Sequence, residues 1–183
     1  MDTTDTYVVL INERDEVTGT MEKMEAHRQA LLHRAVSVFL FNRHDEWLLQ
    51  RRNLQKYHSG GLWTNTCCTH PGPHESYGEA AHRRLQEEMG IRCKLHPIFR
   101  FLYKAELGNG LTEHELDTVF IGFTDELPAI DRNEVHEWKY VTSGQLSRHL
   151  ETAPDEYTVW FRQIYRKVEK YLINGIHRYD NQN

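Results

Sequence analysis

The stretch LTEHELD, residues 111–117, sets two carboxylates, Glu113 and Glu115, two positions apart at the start of a run rich in strand formers. Residues i and i+2 of a strand point to one face, so both acids share one environment. Alone, E-x-E is as readily a solvated polar face. Held close together in a cleft, the two would need a cation between them or a raised pKa on one, which makes a metal ion the natural third party. Further ligands would then be histidines, of which the chain has 12. His27, His33 and His70 stand nearest the expected turns and strand ends, but their spacing is not that of a helical i, i+4 pair. A lone histidine is more often a hydrogen-bonded surface or core residue than a ligand, and His44, in an expected hairpin turn, is read as structural.

The segment GLWTNTCCTHPGPHE, residues 61–75, places Cys67 and Cys68 side by side, two residues before His70. If residues 66–70 are extended, Cys68 and His70 face one side and Cys67 the other. Cys68 would then be the thiol near any metal at His70, where a cation favours the thiolate, at once nucleophile and base. Two inert small hydrophobes are the plainer alternative, since that is the commonest role of buried cysteine. Adjacent cysteines form a strained disulfide, and no C-x-x-C motif is present. In EAAHRRLQEEMG, residues 79–90, Arg83 and Arg84 precede Glu87 and Glu88 by one helical turn. Pairing at i, i+4 explains all four as a solvated face; equally, an acid here could hold Mg²⁺ while an arginine grips phosphate.

These residues need a scaffold. YVVLINERDEVTGT reads as a strand and a turn, and MEKMEAHRQALLHRA as either a short helix or a loop. AVSVFLF (35–41) and WLLQRR (47–52) flank the turn NRHDE and predict a β-hairpin. Helix formers from Ser76 to Met89 stop at Gly90, a good residue for closing a helix. IRCKL, IFRFLYKAEL and ELDTVFIGF predict strands, the last two joined by a GNG turn, and VHEWKYV (135–141) predicts another. In the tail, Val159, Ile164, Val168 and Leu172 recur at helical spacing. With no repeats and no linker, this is one α/β domain with a mixed sheet and helices on its faces.

At 183 residues a chain buries roughly 70% of its unfolded surface and needs no disulfides. Apolar residues make up 39% and aromatics 11%, an ordinary globular composition. The net charge of −5 without a basic block argues against a nucleic-acid surface, so any anionic ligand must be held by a few local Lys and Arg. No apolar run is long enough for a membrane span, and the acidic start has no basic n-region of a secretory signal. Three cysteines, an odd number, argue for reduced thiols rather than a disulfide framework. A cytoplasmic protein with no membrane partner is the expectation.

With these residues in view, the chain resembles the type 1 isopentenyl-diphosphate isomerases, a branch of the Nudix superfamily. WTNTCCTHP is similar to that family's active-site cysteine motif and TEHE to its metal-binding motif, while EKMEAH, LLHRAVSVFLF and LLQRR resemble its earlier signature stretches in order. The likeness runs from about Tyr7 to Trp160. The Nudix pattern G-x5-E-x7-R-E-U-x-E-E-x-G-U, laid on residues 69–91, fits at Glu75, Arg83, Leu85, Glu87, Glu88, Gly90 and Ile91. It fails at Thr69, where the pattern has Gly, and at Arg84, where it has Glu. Exchanging a carboxylate for a guanidinium removes a metal ligand of the hydrolase site and adds a grip on phosphate, which argues for isomerase over hydrolase.

The resemblance implies an α/β (α+β) fold, a Nudix-like α/β/α sandwich with a mixed sheet and a C-terminal helix. It implies a single domain over residues 1–183: an N-terminal strand and ligand segment (1–34), a core (about 35–142) and a C-terminal helical part (about 143–183). It implies one divalent ion, Mn²⁺, Zn²⁺ or Mg²⁺, on His27, His33, His70, Glu113 and Glu115, and Mg²⁺ on the diphosphate near Glu88 and Cys68. Lys23, Arg52, Lys56 and Arg84 match its diphosphate-binding positions. The reaction implied is interconversion of isopentenyl and dimethylallyl diphosphate in isoprenoid biosynthesis. By the same resemblance, Cys68 and Glu115 would exchange the protons, Tyr103 would be hydrogen-bonded to the acid, and Trp160, on a helix that could serve as a lid, would face the cation. The partner implied is a small prenyl diphosphate, bound by a monomer or weak dimer. A Nudix hydrolase of a diphosphate and a non-catalytic metal-binding module are the alternatives.

Overall fold

The computed structural model describes residues 6–173; the outermost parts of the expected terminal segments, 1–5 and 174–183, lie outside the described residues. The elements run β1 (Tyr7–Ile11), β2 (Val17–Glu22), α1 (Lys23–Arg28), β3 (His33–Phe41), β4 (Trp47–Arg52), β5 (Trp63–Thr64), β6 (Cys67–Thr69), α2 (Tyr77–Met89), β7 (Leu95–Gly108), β8 (Leu111–Phe123), β9 (Val135–Val141), α3 (Ser143–Thr152) and α4 (Val159–Ile173).

β3 is the hub of the sheet. Its HRAVSVFLF run is rich in β-branched and aromatic residues, and all but one of its side chains are buried. It runs parallel to β8 from His33↔Glu115 to Phe41↔Phe123. On its other side it pairs in turn, antiparallel, with β1, β6 and β4. β7 completes a long antiparallel hairpin with β8, and β9 pairs with β4. The sheet is therefore mixed.

Strand parity separates two cores. Val36, Val38 and Leu40 of β3 pack with Ala80, Ala81, Leu85 and Met89 of α2. Phe39 and Phe41 face the other way, into a layer with Trp47, Leu146 and Leu150 of α3, and Phe161 and Ile164 of α4. Helices thus cover both faces, the α/β/α arrangement. On β8 the odd positions Val119 and Ile121 belong to the α3/α4 face. Glu113, Glu115 and Asp117 continue that same face toward the strand's start.

α2 starts at a capping box, in which Ser76 accepts from the Glu79 amide while Glu79 accepts from the Ser76 amide. It ends at Gly90, whose backbone is left-handed at φ 69°. Two expectations need correction. IRCKL is not a strand: from Ile91 to Lys94 it has no ladder partner, and only Leu95 opens β7. Its alternation places Ile91, Cys93 and Leu95 against the α2-side core, so the pattern reflects burial without pairing. YVVLINERDEVTGT forms two strands, β1 and β2, rather than one. Of the two readings left open for residues 21–35, the short helix forms, over Lys23–Arg28, and β3 begins at His33.

Alanine at position 90 would meet both a backbone conformation costly for an L-residue and a contact of 2.6 Å between its Cβ and the Ala129 carbonyl oxygen. Gly90→Ala should therefore lower stability by about 2 kcal/mol or more, read as a reduced urea midpoint at constant slope. An unchanged midpoint would mean that this glycine does not set the end of α2.

Candidate active and metal site

The site is assembled on the α3/α4 face, where parity brings polar residues of several elements together. Register sets His33 of β3 and Tyr103 of β7 on either side of Glu115. β6 lies against β3 with Ser37 opposite Cys68, and His70 follows directly. α1 supplies His27. The centroids of the three rings lie 4.9 Å (His27–His33), 4.9 Å (His33–His70) and 5.5 Å (His27–His70) apart. One ligand atom from each of His27, His33, His70 and Glu115 falls within 4.8 Å of the others.

Hydrogen bonds decide which ring nitrogens face the cluster. Nδ1 of His27 lies 2.6 Å from the Lys23 carbonyl oxygen, and Nδ1 of His33 lies 2.8 Å from that of Leu31. A carbonyl only accepts, so both Nδ1 atoms carry a proton and the Nε2 atoms are left to face the cluster. Neither buried Nε2 makes a hydrogen bond within the protein, although that of His33 lies 3.5 Å from Glu115 Oε1. His70 Nε2 lies 2.8 Å from Glu115 Oε1, while its Nδ1 is unpartnered. Burial lowers the pKa of His27, followed by the effect of His33, and takes His70 down to about 3 against the pull of Glu115. Buried imidazole nitrogens gathered around a carboxylate fit a divalent ion.

Glu113 and Glu115 lie on either side of one hydroxyl: Tyr103 Oη is 2.8 Å from Glu113 and 2.6 Å from Glu115. A phenol has one proton to donate, so it cannot satisfy two carboxylates at once. Burial, then the charge of Glu115, pushes Glu113 well above the usual carboxylate range. At Glu115 burial acts the same way but is outweighed by His33 and His70, which hold it well below. Glu113 falls into a second cluster, with His27 and His58.

Cys67 and Cys68 separate as parity requires. Cys67 is fully buried in the α2-side core, and Cys68 lines the cleft with His70, Tyr103, Glu113, Glu115 and Trp160. Burial drives the Cys68 thiol up to about 12, and Asp117 adds to this. The Sγ–H donates to Asn65 Oδ1 at 3.1 Å. That amide is locked, because its Nδ2 donates to the Val38 and Cys67 carbonyls. In this geometry Cys68 keeps its proton.

The other wall is ionic. Lys23, Arg52, Lys56 and Arg84 all line the cleft. Arg84 pairs with Glu88 at 2.7 Å and with Glu134 at 3.2 Å, and Lys56 also pairs with Glu134. Glu88 accepts a further bond from Gln50 at 2.8 Å, whereas Glu87 is on the surface beside Arg83 and Arg84. Glu75 braces Arg83 at 2.6 and 2.9 Å. Of the box acids, Glu88 alone therefore reaches the cleft. The Arg52 guanidinium sits 5.4 Å from the ring of Trp160. Trp160 is both cleft wall and core residue, and α4 buries Phe161, Ile164, Tyr165 and Val168 beside it. A helix so anchored is a packed layer rather than a hinged flap.

Sequence reasoning passed over Gln50, His58, Asn65, Asp117 and Glu134. Asp117 could have been found by extending the parity of E-x-E two residues to E-x-E-x-D; it is buried, accepts from Ser37 at 2.6 Å, and is raised to about 8 by burial and then Glu115. The others sit in loops, on short strands or at long-range pairings that leave no periodic signal.

The NUDIX domain family matches residues 31–164. Solved structures share the fold: one from Deinococcus radiodurans superposes with a TM-score of 0.75 at 21% identity, covering 88% of this chain and 98% of that one. The MutT protein of Methanosarcina mazei gives 0.62 at 22% identity, covering 77% and 95%. Fold and sequence thus define a Nudix-domain protein. At closer range it is similar to the isopentenyl-diphosphate Delta-isomerase of Pectobacterium atrosepticum, 48% identical with 91% of this chain and 93% of that protein covered. It is also similar to that of Burkholderia multivorans, 41% identical with 94% and 96% covered. The chain belongs to the isopentenyl-diphosphate Delta-isomerase family within the Nudix fold.

Three buried imidazoles with unpartnered nitrogens should be stabilised by an ion that only the folded state binds. Adding Mn²⁺ or Zn²⁺ to chelator-treated protein should raise its melting temperature, by the equivalent of about 2.7 kcal/mol at a hundredfold excess over Kd. His33→Ala should remove most of that increment. A melting temperature indifferent to divalent ions would count against a metal site.

Proposed function

We propose that this protein interconverts isopentenyl diphosphate and dimethylallyl diphosphate for isoprenoid biosynthesis, using Cys68 and Glu115 to exchange protons with the five-carbon chain. The observation that carries the reading is the placement of a thiol and a carboxylate in one cleft whose other wall bears Lys23, Arg52, Lys56 and Arg84. The four cations bind and orient the diphosphate. Arg84, in place of a carboxylate of the hydrolase pattern, adds a phosphate grip where a hydrolase would hold metal.

The reaction is a 1,3-proton shift without net redox change. One group gives a proton to the terminal alkene carbon, the π pair forms the new C–H bond, and the tertiary carbon becomes cationic. The other group removes a proton from C2, and that C–H pair becomes the new double bond. Tyr103 orients Glu115 by its hydrogen bond, and Asn65 orients the Cys68 thiol. When bound, a divalent ion on His27, His33, His70, Glu113 and Glu115, with Mg²⁺ at the diphosphate near Glu88 and Cys68, supplies fixed positive charge that neutralises carboxylate and phosphate oxygens. Trp160 closes the cleft over the developing cation. A cation over an indole contributes about 0.5–2 kcal/mol, against the roughly 8–23 kcal/mol of enzymic rate enhancements. Most of the catalysis must therefore come from the placed acid and base and the oriented charges. Burial of the site also protects a tertiary cation from water.

Three cysteines without disulfide partners fit a reducing compartment, and we assign the enzyme to the cytoplasm, acting as a monomer or weak dimer on a small soluble substrate. Among the described residues no helix is long and apolar enough to cross a membrane.

Incubated with isopentenyl diphosphate and Mg²⁺ in deuterated water, the protein should place deuterium in dimethylallyl diphosphate. Cys68→Ala should reduce this by about 10²–10⁴-fold, the usual worth of a positioned acid or base, while Cys67→Ala retains most of it. Equal losses in the two variants would refute the assignment of roles by strand face. Phosphate release from a nucleotide panel with no allylic product would establish a hydrolase instead.

A further inference from the structure

His58 lies in the loop between β4 and β5, where no periodic pattern draws attention to it. Its side chain is 6% exposed, as is that of Glu113, and its Nε2 lies 3.9 Å from Glu113 Oε1. Its other nitrogen, Nδ1, is 3.2 Å from the Ser59 hydroxyl. The 3.9 Å gap is too long for a hydrogen bond. It fits an ion pair, and it also fits two donor atoms on one ion, since bonds of about 2.0–2.2 Å allow donors up to about 4.4 Å apart. One ligand atom of His58 falls within 4.8 Å of its counterparts on Glu113 and His27. His27 is shared with the cluster of His33, His70 and Glu115, whose donors do not all lie within 4.8 Å of those of His58 and Glu113, so a common ion requires these side chains to draw together. With its Nδ1 committed to the Lys23 carbonyl, His27 has a single nitrogen for a metal, so the two clusters cannot each fill an ion of their own through it.

We infer that His58 is a further ligand of the same divalent ion, joining His27, His33, His70, Glu113 and Glu115. This rests on the reading of that cluster as a metal site. A site with four imidazoles and two carboxylates favours a borderline transition ion over Mg²⁺, whose preference is for oxygen donors. His58 would thereby keep the buried ion chemically distinct from the Mg²⁺ that accompanies the diphosphate.

The test uses chelator-stripped full-length protein, its His58→Ala and His58→Gln variants and His27→Ala, each titrated with Co²⁺ by calorimetry and followed by visible absorption. Melting in chelator serves as the folding control, and His58→Gln keeps the packing should His58→Ala fold poorly. The inference expects both His58 variants to bind Co²⁺ about tenfold or more weakly, with shifted d–d bands, and to lose discrimination against Mg²⁺. If affinity and spectrum are unchanged at position 58 while His27→Ala loses the ion, His58 is not a ligand, although the metal site stands. If His27→Ala also binds as before, the metal reading itself fails, and the inference with it.

Discussion

Three carboxylates on one face of one buried strand impose the constraint around which this protein is built. Glu113, Glu115 and Asp117 are each at most 5% exposed, and ionised carboxyls placed so close in a low-dielectric interior are tolerable only if charge or protons are supplied. The neighbouring strands answer this. β3 brings His33 and Ser37, β7 brings Tyr103, and the end of β6 brings His70. Even so, two carboxylates share one phenolic proton and three imidazole nitrogens have no hydrogen-bond partner. A protein selected for stability alone would not keep that arrangement in its core. It makes sense as a site completed by a cation.

The same face carries a stabilising core at its other end. Along β8 the alternation is unbroken from Glu113 to Ile121, polar first and then apolar, and α4 covers both parts through Trp160, Phe161 and Ile164. Chemistry and packing thus share one helix, whereas α2 holds the opposite face with an apolar seam and reaches the cleft only through Arg84 and Glu88. The broken position of the Nudix pattern, Arg84, is on that reach, between Glu88 and Glu134.

What could be read from the chain was what local rules govern. Parity put Glu113 with Glu115 and split Cys67 from Cys68, and a run of helix formers closed by Gly90 marked α2 to within a residue at its start. Periodicity could not resolve β5 and β6, which have two and three residues. It misread Ile91–Leu95, where alternating burial occurs without a partner strand. The site was legible where its residues lie on long strands or in motifs that resemble a known family. Glu134 enters through pairing with Lys56, 78 positions away, and His58 through a loop, and neither kind of contact leaves a trace in spacing.

The separation of the adjacent cysteines has a consequence for oxidative damage. Cys68 is the only cysteine lining the cleft, while Cys67 is fully buried across the sheet and Cys93 packs on that far side as well. A sulfenic acid formed on Cys68 would therefore find no resolving thiol within reach, although one is its immediate neighbour in the chain. Nothing on that face could capture it as a disulfide before it advanced to the irreversible acids. The partial burial of Cys68 in the cleft is then the chief protection of its sulfur.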